Sequence, residues 1–346
     1  MIRVALVGLG KMGISHFSMI NAHPDVTVVG ICDTSRYLLD VLGKYTGIAT
    51  YSDCVRMLDE TDAQALIIST PTSTHAKIAR AALERKIHVF CEKPFGLDAF
   101  ESETLGRLAE EAGVINQVGY HYKFIGAFQE VKRILDSGAL GRISHVLAEA
   151  YGPVVLKPKG LSWRTKKEEG GGCVYDYAAH PLNLLNWYFG EVASVQGTVL
   201  NKVFSKDTED EVYATLIYQS GASAQLSVNW SDDSQRKMSV KMTIWGARGK
   251  IIADRQECQC YLRDAPEMLP GYHPGWNIRY TTDLTTPVWF YVRGEEYSAQ
   301  LAYFVECLKA QSCDNLNSFS SAAQTDRAIA LLLTDAQSGL AKAAER

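Results

Sequence analysis

Three glycines, Gly8, Gly10 and Gly13, follow an apolar run from Ile2 to Val7 and open a helical pattern, the spacing that holds a pyrophosphate. The first permits a tight turn, the second lets the backbone approach the phosphates, and the third lets helix pack on strand. Lys11, Met12 and Gly13 complete that turn, and the N-terminus of the helix it opens supplies backbone amides to an anion. Asp33 ends the next apolar run, about twenty residues downstream. A carboxylate there accepts hydrogen bonds from ribose hydroxyls and repels a 2′-phosphate, so NAD is expected in preference to NADP. Arg36, nearby, either offsets part of that repulsion or is a solvated helix residue. Further on, Lys93 follows the run His88 to Cys91, at the carboxyl edge where open α/β sheets bind ligands. Asp176 and His180 are four apart, which on a helix puts both on one face.

The elements that must position these residues alternate in type. Ile2 to Val7, Val26 to Ile31, Ala65 to Ile68, His88 to Cys91 and Ile115 to Val118 read as strands. Helical patterns lie near Ser15 to Ala22, Ser35 to Tyr45, Ser73 to Arg85 and Phe100 to Ala112. Such alternation predicts a parallel sheet covered on both faces. Past residue 124 the rhythm changes: a helix to Asp136, a glycine-rich passage, a helix to Phe189, then alternating strands from Val192 to Leu262. Residues 263 to 294 hold four prolines and lack periodicity, and helices near Tyr297 to Ala310 and Ser321 to Lys342 close the chain. The fold class is therefore α/β: a doubly wound Rossmann domain over residues 1–122, then an α+β domain over 123–346 with a large, mostly antiparallel open sheet. The last helix is expected to pack back on the first domain.

Four passages, in order, resemble the Gfo/Idh/MocA family of sugar and polyol oxidoreductases: the glycine motif, Thr70-Pro71-Thr72-Ser73-Thr74-His75, Cys91-Glu92-Lys93-Pro94, and Trp163-Arg164 with Gly170-Gly171-Gly172, Asp176 and His180. The resemblance covers residues 1 to about 190 by motif and the rest by pattern. It implies that Thr70, Pro71, Thr72 and His75 line the nicotinamide half of the cofactor site, joined by Glu92, Lys93, Pro94, Trp163 and Arg164. Substrate contacts are expected from Lys93, His121, Tyr122, Arg164, Asp176, His180 and Asn183. The chain departs from the family at Ala178 and Asn183, where glycine and an acid are common, and at Tyr120-His121-Tyr122-Lys123, where an asparagine-arginine pair is common.

Oxidising a secondary alcohol needs a base for the hydroxyl proton while the hydride leaves for nicotinamide. Lys93 is the expected donor to the substrate oxygen, His180 the expected base and Asp176 its orienting partner, with the reverse assignment of the last two open. Lys157, Lys159, Arg164, Lys166 and Lys167 form a basic stretch that either binds an acidic or nucleotide-linked sugar or is merely solvated. Tyr272, His273 and Trp276 either stack on a sugar ring or anchor their loop; His16 and His23 read as packing or solvent residues. Two rivals remain: a glycoside hydrolase that oxidises C3 transiently and retains its cofactor, and a non-enzymatic sensor, which would usually lack the Lys93, Asp176 and His180 set.

Composition excludes other classes. The 346 residues are 47% hydrophobic and 21% charged with a net charge of -4, typical of a globular protein and without the field that gathers nucleic acid or membrane. No apolar run approaches the ~20 residues of a membrane span, and the N-terminus enters a strand pattern directly, so a cytoplasmic location is expected. The eight cysteines are too irregular for a disulfide framework, and Cys258 with Cys260 lacks a partner cluster, so no metal is expected. A homodimer or homotetramer is expected, because the open sheet often pairs face to face in this family.

Overall fold

The computed structural model describes residues 1–156, 163–264 and 268–344. The chain begins β1 (Ile2–Val7), α1 (Lys11–Asn21), β2 (Val26–Cys32), α2 (Arg36–Thr46), β3 (Thr50–Tyr51) and α3 (Cys54–Glu60). It continues β4 (Ala65–Ile68), α4 (His75–Glu84), β5 (His88–Cys91), α5 (Ala99–Ala112) and β6 (Asn116–Val118). Then come α6 (Gly126–Asp136), β7 (Ile143–Tyr151), α7 (Ala179–Phe189), β8 (Val192–Asn201), β9 (Glu211–Tyr218) and β10 (Ser223–Asn229). The remainder is β11 (Ser239–Gly246), β12 (Gly249–Ala253), β13 (Glu257–Leu262), β14 (Gly275–Tyr280), α8 (Thr281–Leu284), α9 (Glu295–Ala310) and α10 (Phe319–Ala344).

Two compact units result, one of Met1–His121 with Pro287–Asp326, the other of Tyr122–Thr286 with Arg327–Arg346. In the first, six parallel strands run in the order β3-β2-β1-β4-β5-β6. The central strands β1, β4 and β5 are almost wholly apolar because both sheet faces are covered. Phe90 of β5 meets Phe304 of α9 edge to face at 5.9 Å, and Leu301 and Val305 join the same core as Leu6, Ile20 and Ile67. Polar caps set the starts of α2 and α5: Ser35 accepts from the Leu38 amide, and Asp98 from those of Phe100 and Glu101.

The second unit is built on eight strands in the order β14-β13-β12-β11-β7-β10-β9-β8, antiparallel except for the β10–β7 pair. Alternate residues of β9 and β10 are buried, as expected of a sheet covered on one face. Two of its strands depart from the sequence reading. β7 runs through the passage expected to be merely glycine-rich, yet it sits mid-sheet between β10 and β11; its inward residues are Val146, Ala148 and Ala150, small and interspersed with His145 and Glu149, so the apolar signal is weak. β14 forms within the proline-containing stretch, as an edge strand where prolines on either side cost no ladder bonds. Among the described residues no helix is long and apolar enough to cross a membrane, and all eight cysteines are free.

Candidate active site

The chain leaves β1 at Gly8, whose φ is +91° and whose amide donates to the Cys32 carbonyl at 2.9 Å. A Cβ on Gly8 would lie 2.7 Å from the Ser69 carbonyl carbon, so both the turn and the close approach require glycine. Gly13 is as constrained, since its Cβ would fall 1.9 Å from the Gly8 carbonyl oxygen. Gly10 differs: it has φ of -62°, is exposed, and a Cβ there would meet nothing within 4 Å. The loop thus keeps an open floor at Gly10 between two closely packed glycines. α1 begins at Lys11 directly after it, four residues before the expected start, with no side-chain cap and no acid in its first turn. Its leading amides and positive dipole end therefore face that floor, which fits a pyrophosphate.

Asp33 lies just past β2. Its Oδ2 accepts from the Leu9 amide at 2.5 Å and its Oδ1 from the Ser35 amide at 2.7 Å, which fixes the carboxylate beside the glycine loop. Each oxygen keeps a further lone pair for a ribose hydroxyl. Arg36 is exposed at the first position of α2.

Behind this surface, buried side chains tie the turns together. His75 is buried, with Nε2 2.9 Å from the Thr70 carbonyl oxygen and Nδ1 3.1 Å from that of Pro94. Burial lowers its pKa despite both carbonyls, so His75 clamps the Thr70-Pro71-Thr72 turn to the Lys93–Pro94 turn, whose peptide is cis. Glu92 meets His16 at 2.6 Å from Nε2 to Oε1, and its Oε2 accepts from the Lys93 amide at 3.1 Å. Burial pushes the Glu92 carboxyl up, but the His16 bond and the charges of His16, Lys93 and His121 outweigh it and hold the group below its ordinary value. A Cβ on Gly119 would lie 3.1 Å from Glu92 Oε1, so this glycine admits the carboxylate. His121 stacks on Tyr297 with ring centroids 4.3 Å apart.

In the second unit the glycine triplet has a different use. A Cβ on Gly171 would come 2.5 Å from the Arg164 carbonyl oxygen, and one on Gly172, at φ of +107°, 2.1 Å from Glu209 Oε1. Glu209 can then accept from the Val174 amide at 3.1 Å and cap the turn that follows. That turn, Val174–Ala178, is π-helical and carries Asp176 before α7 brings His180 one turn later. Inserted π turns re-aim side chains and occur often at functional sites. Asp176 Oδ2 accepts from Arg164 Nε at 2.8 Å, and the Arg164 guanidinium lies 4.7 Å from the Trp163 ring centroid. The Tyr122 ring lies 4.9 Å from that of His180, and Asn183 is buried on the next turn of α7. Lys123, beside Tyr122, is also buried, 5.8 Å from the Trp187 ring centroid, and desolvation lowers its pKa to about 7.

Of the expected residues, the first unit gathers Gly8, Gly10, Lys11, Met12, Gly13 and Asp33 at one loop and Thr70, His75, Glu92, Lys93 and Pro94 at adjoining turns. The second unit gathers Trp163, Arg164, Asp176, His180, Tyr122 and Asn183. Tyr272 is an anchor: it is buried, donates to Glu130 Oε1 at 2.5 Å, and its ring centroid lies 5.5 Å from the Arg133 guanidinium and 5.2 Å from that of Arg279. Trp276 is exposed and rests edge-on against Tyr261. Lys157 and Lys159 lie outside the described residues. His16, read as a packing or solvent residue, is buried against Glu92. Sequence reasoning missed Lys123, whose signal was a single lysine in an aromatic run, and Glu209, which had none, since only the folded loop brings it to Gly172.

A glycine loop open at Gly10 before a helix N-terminus, with the Asp33 carboxylate fixed beside it, is the arrangement that fits a dinucleotide. Known families carry the match further: residues 2–120 fit the family described as oxidoreductase family, NAD-binding Rossmann fold, and residues 128–252 fit the GFO/IDH/MocA C-terminal domain. The chain belongs to the GFO/IDH/MocA family and is an NAD-dependent oxidoreductase. It is 28% identical over 314 residues to scyllo-inositol 2-dehydrogenase (NAD(+)) of Bacillus subtilis, covering 89% of this chain and 86% of that one. It is 22% identical over 326 residues to myo-inositol 2-dehydrogenase of Thermotoga maritima, covering 92% and 86%. Levoglucosan dehydrogenase, solved with NADH and levoglucosan, shares its fold with a TM-score of 0.85 at 22% identity, covering 97% of each chain.

Proposed function

We propose that the protein oxidises a secondary hydroxyl of a neutral sugar or polyol, or reduces the corresponding ketone, with Lys93, Asp176 and His180 as the acting groups. The observation that carries this is the Arg164 to Asp176 contact at 2.8 Å, one helical turn from His180. Arg164 holds the Asp176 carboxylate in one orientation, and the neighbouring imidazole is the group whose ordinary pKa suits a proton taken and returned near neutrality. His180 therefore accepts the hydroxyl proton, Asp176 orients it, and Lys93 donates to the substrate oxygen and steadies charge developing there. Bound NAD supplies the hydride acceptor. Tyr122, packed on His180, limits the rotation of the imidazole.

A neutral substrate is preferred on charge. Of the three described basic residues in the 163–167 segment, Arg164 is engaged by Asp176 and Lys166 by Glu169 at 2.8 Å, while Lys167 is exposed, so two of the three charges are already matched before an acidic sugar could meet them. Relatives named for inositol and levoglucosan point to polyhydroxylated rings. The test is isotopic: inositols and anhydro sugars deuterated at each carbinol carbon are incubated with NAD and the coenzyme is analysed by mass. Deuterium in the reduced coenzyme from one position names the hydroxyl; unlabelled coenzyme throughout, with NAD bound, rules the proposal out.

A further inference from the structure

Every residue of the turn after Glu92 is held by a group from elsewhere in the first unit or by Glu92 itself, and two of the ties come from the start of α10. The Lys93 amide donates to Glu92 Oε2, and the Pro94 carbonyl faces His75 Nδ1 at 3.1 Å. The Phe95 ring lies 4.3 Å from that of Phe319, and the Gly96 amide donates to Asp326 Oδ2 at 3.1 Å. The same oxygen accepts from Ser102 Oγ at 2.7 Å. A Cβ on Gly96 would come 2.3 Å from Ser102 Oγ, so the bare backbone at Gly96 is what lets Ser102 and Asp326 close on the turn.

Asp326 is an expensive residue for this place. It is 3% exposed, its Oδ1 accepts no hydrogen bond from the described residues, and its helix neighbours Ala322, Ala323 and Ile329 are buried and apolar. A buried polar atom left unsatisfied is destabilising, so an apolar side chain would suit packing alone better. What the carboxyl contributes in return is a fixed acceptor for the Gly96 amide.

We infer that Asp326 is a positioning residue for Lys93: through Gly96 it sets the height of the Lys93–Gly96 turn and thereby where the lysine meets the substrate oxygen. This rests on the role proposed for Lys93, and the test keeps the two apart. Asp326→Leu and Asp326→Asn are compared with the unsubstituted protein in the rate of Lys93 acetylation by acetic anhydride, read by peptide mass spectrometry, and in kcat, KM and NAD affinity. Asp326→Leu should lower kcat by about 10- to 100-fold, as displacements of an ångström do, with KM and NAD affinity within about twofold. It should also change the Lys93 acetylation rate at least about threefold, whereas Asp326→Asn, which keeps the acceptor oxygen, should restore both. Should Asp326→Leu not fold, Asp326→Ser, too short to reach Gly96, takes its place. Unchanged Lys93 acetylation in the Leu or Ser variant overturns the inference, as does a folded Asn variant as impaired as Leu. Acetylation decides the matter without a substrate, so absence of turnover in every sample would count against the proposed function alone.

Discussion

Replacing Gly10 and Gly13 by alanine, one at a time, separates binding of the pyrophosphate from folding of its loop. At Gly10 the backbone already sits at φ of -62°, and the new methyl has nothing within 4 Å, so alanine costs the fold nothing. By restricting the unfolded chain it should even add about 0.4–1 kcal/mol. The same methyl stands on the floor facing the amides of α1, where it displaces an anion and forfeits one or two charge-assisted hydrogen bonds at about 1.5–3 kcal/mol each. NAD affinity should fall roughly 10- to 100-fold or more. At Gly13 the methyl would overlap the Gly8 carbonyl oxygen at 1.9 Å, and the helix must shift off the strand. Overpacking of that kind costs about 1–3 kcal/mol of stability, with NAD binding lost besides. Thermal unfolding and calorimetric titration with NAD read both quantities. Wild-type NAD affinity in Gly10→Ala, or wild-type stability in Gly13→Ala, would refute the division of roles among the glycines.

Asp33→Ala removes the acceptor of the Leu9 and Ser35 amides as well as the ribose partner; NAD affinity should drop about 10-fold or more and the ratio of NAD to NADP affinity should shrink, as titrations with both coenzymes will show. Gly172→Ala should destabilise by about 1–3 kcal/mol through its φ of +107° and the clash with Glu209, and adding Glu209→Ala should recover the steric part. Additive losses in that double-mutant cycle would contradict the contact. Burial raises the Asp326 pKa from 3.8 to about 7. Between those values the folded chain keeps a proton that the unfolded chain releases, so the group's contribution to stability falls as pH rises and the full cost is present above about 7. The stability of Asp326→Asn relative to wild type should therefore grow by a few kcal/mol between about pH 4 and pH 8 in denaturant titrations, and a flat difference would contradict it.

Most of the parallel half was legible because β1, β2, β4 and β5 are short apolar runs and the longer helices between them are amphipathic, with glycines marking the phosphate turn; β3, only Thr50 and Tyr51, and the seven-residue α3 were not, being too short to show a period. β7 was not, because a strand lined by Val146 and alanines gives little apolar contrast, and its place mid-sheet comes from partners as distant as β10 and β11. The same limit applies to the site. Gly8, Gly13 and Asp33 act through local backbone geometry that spacing encodes. Glu209 and Asp326 act through contacts made only when remote segments meet: Asp326 reaches Gly96 across more than two hundred residues, and Glu209 reaches Val174 from the loop between β8 and β9. His75 shows a third case, a motif residue whose position was expected while its use, clamping two turns from beneath, follows from its burial.

The most direct test is steady-state formation of reduced coenzyme from NAD and a panel of inositols, anhydro sugars and other polyols, with Lys93→Met and His180→Asn measured beside the unsubstituted chain. Turnover on at least one neutral polyol is expected, falling about 100-fold or more in either variant while both still bind NAD. Undiminished turnover in those variants, or none from the unsubstituted protein when saturated with NAD, would contradict alcohol oxidation by Lys93 and His180.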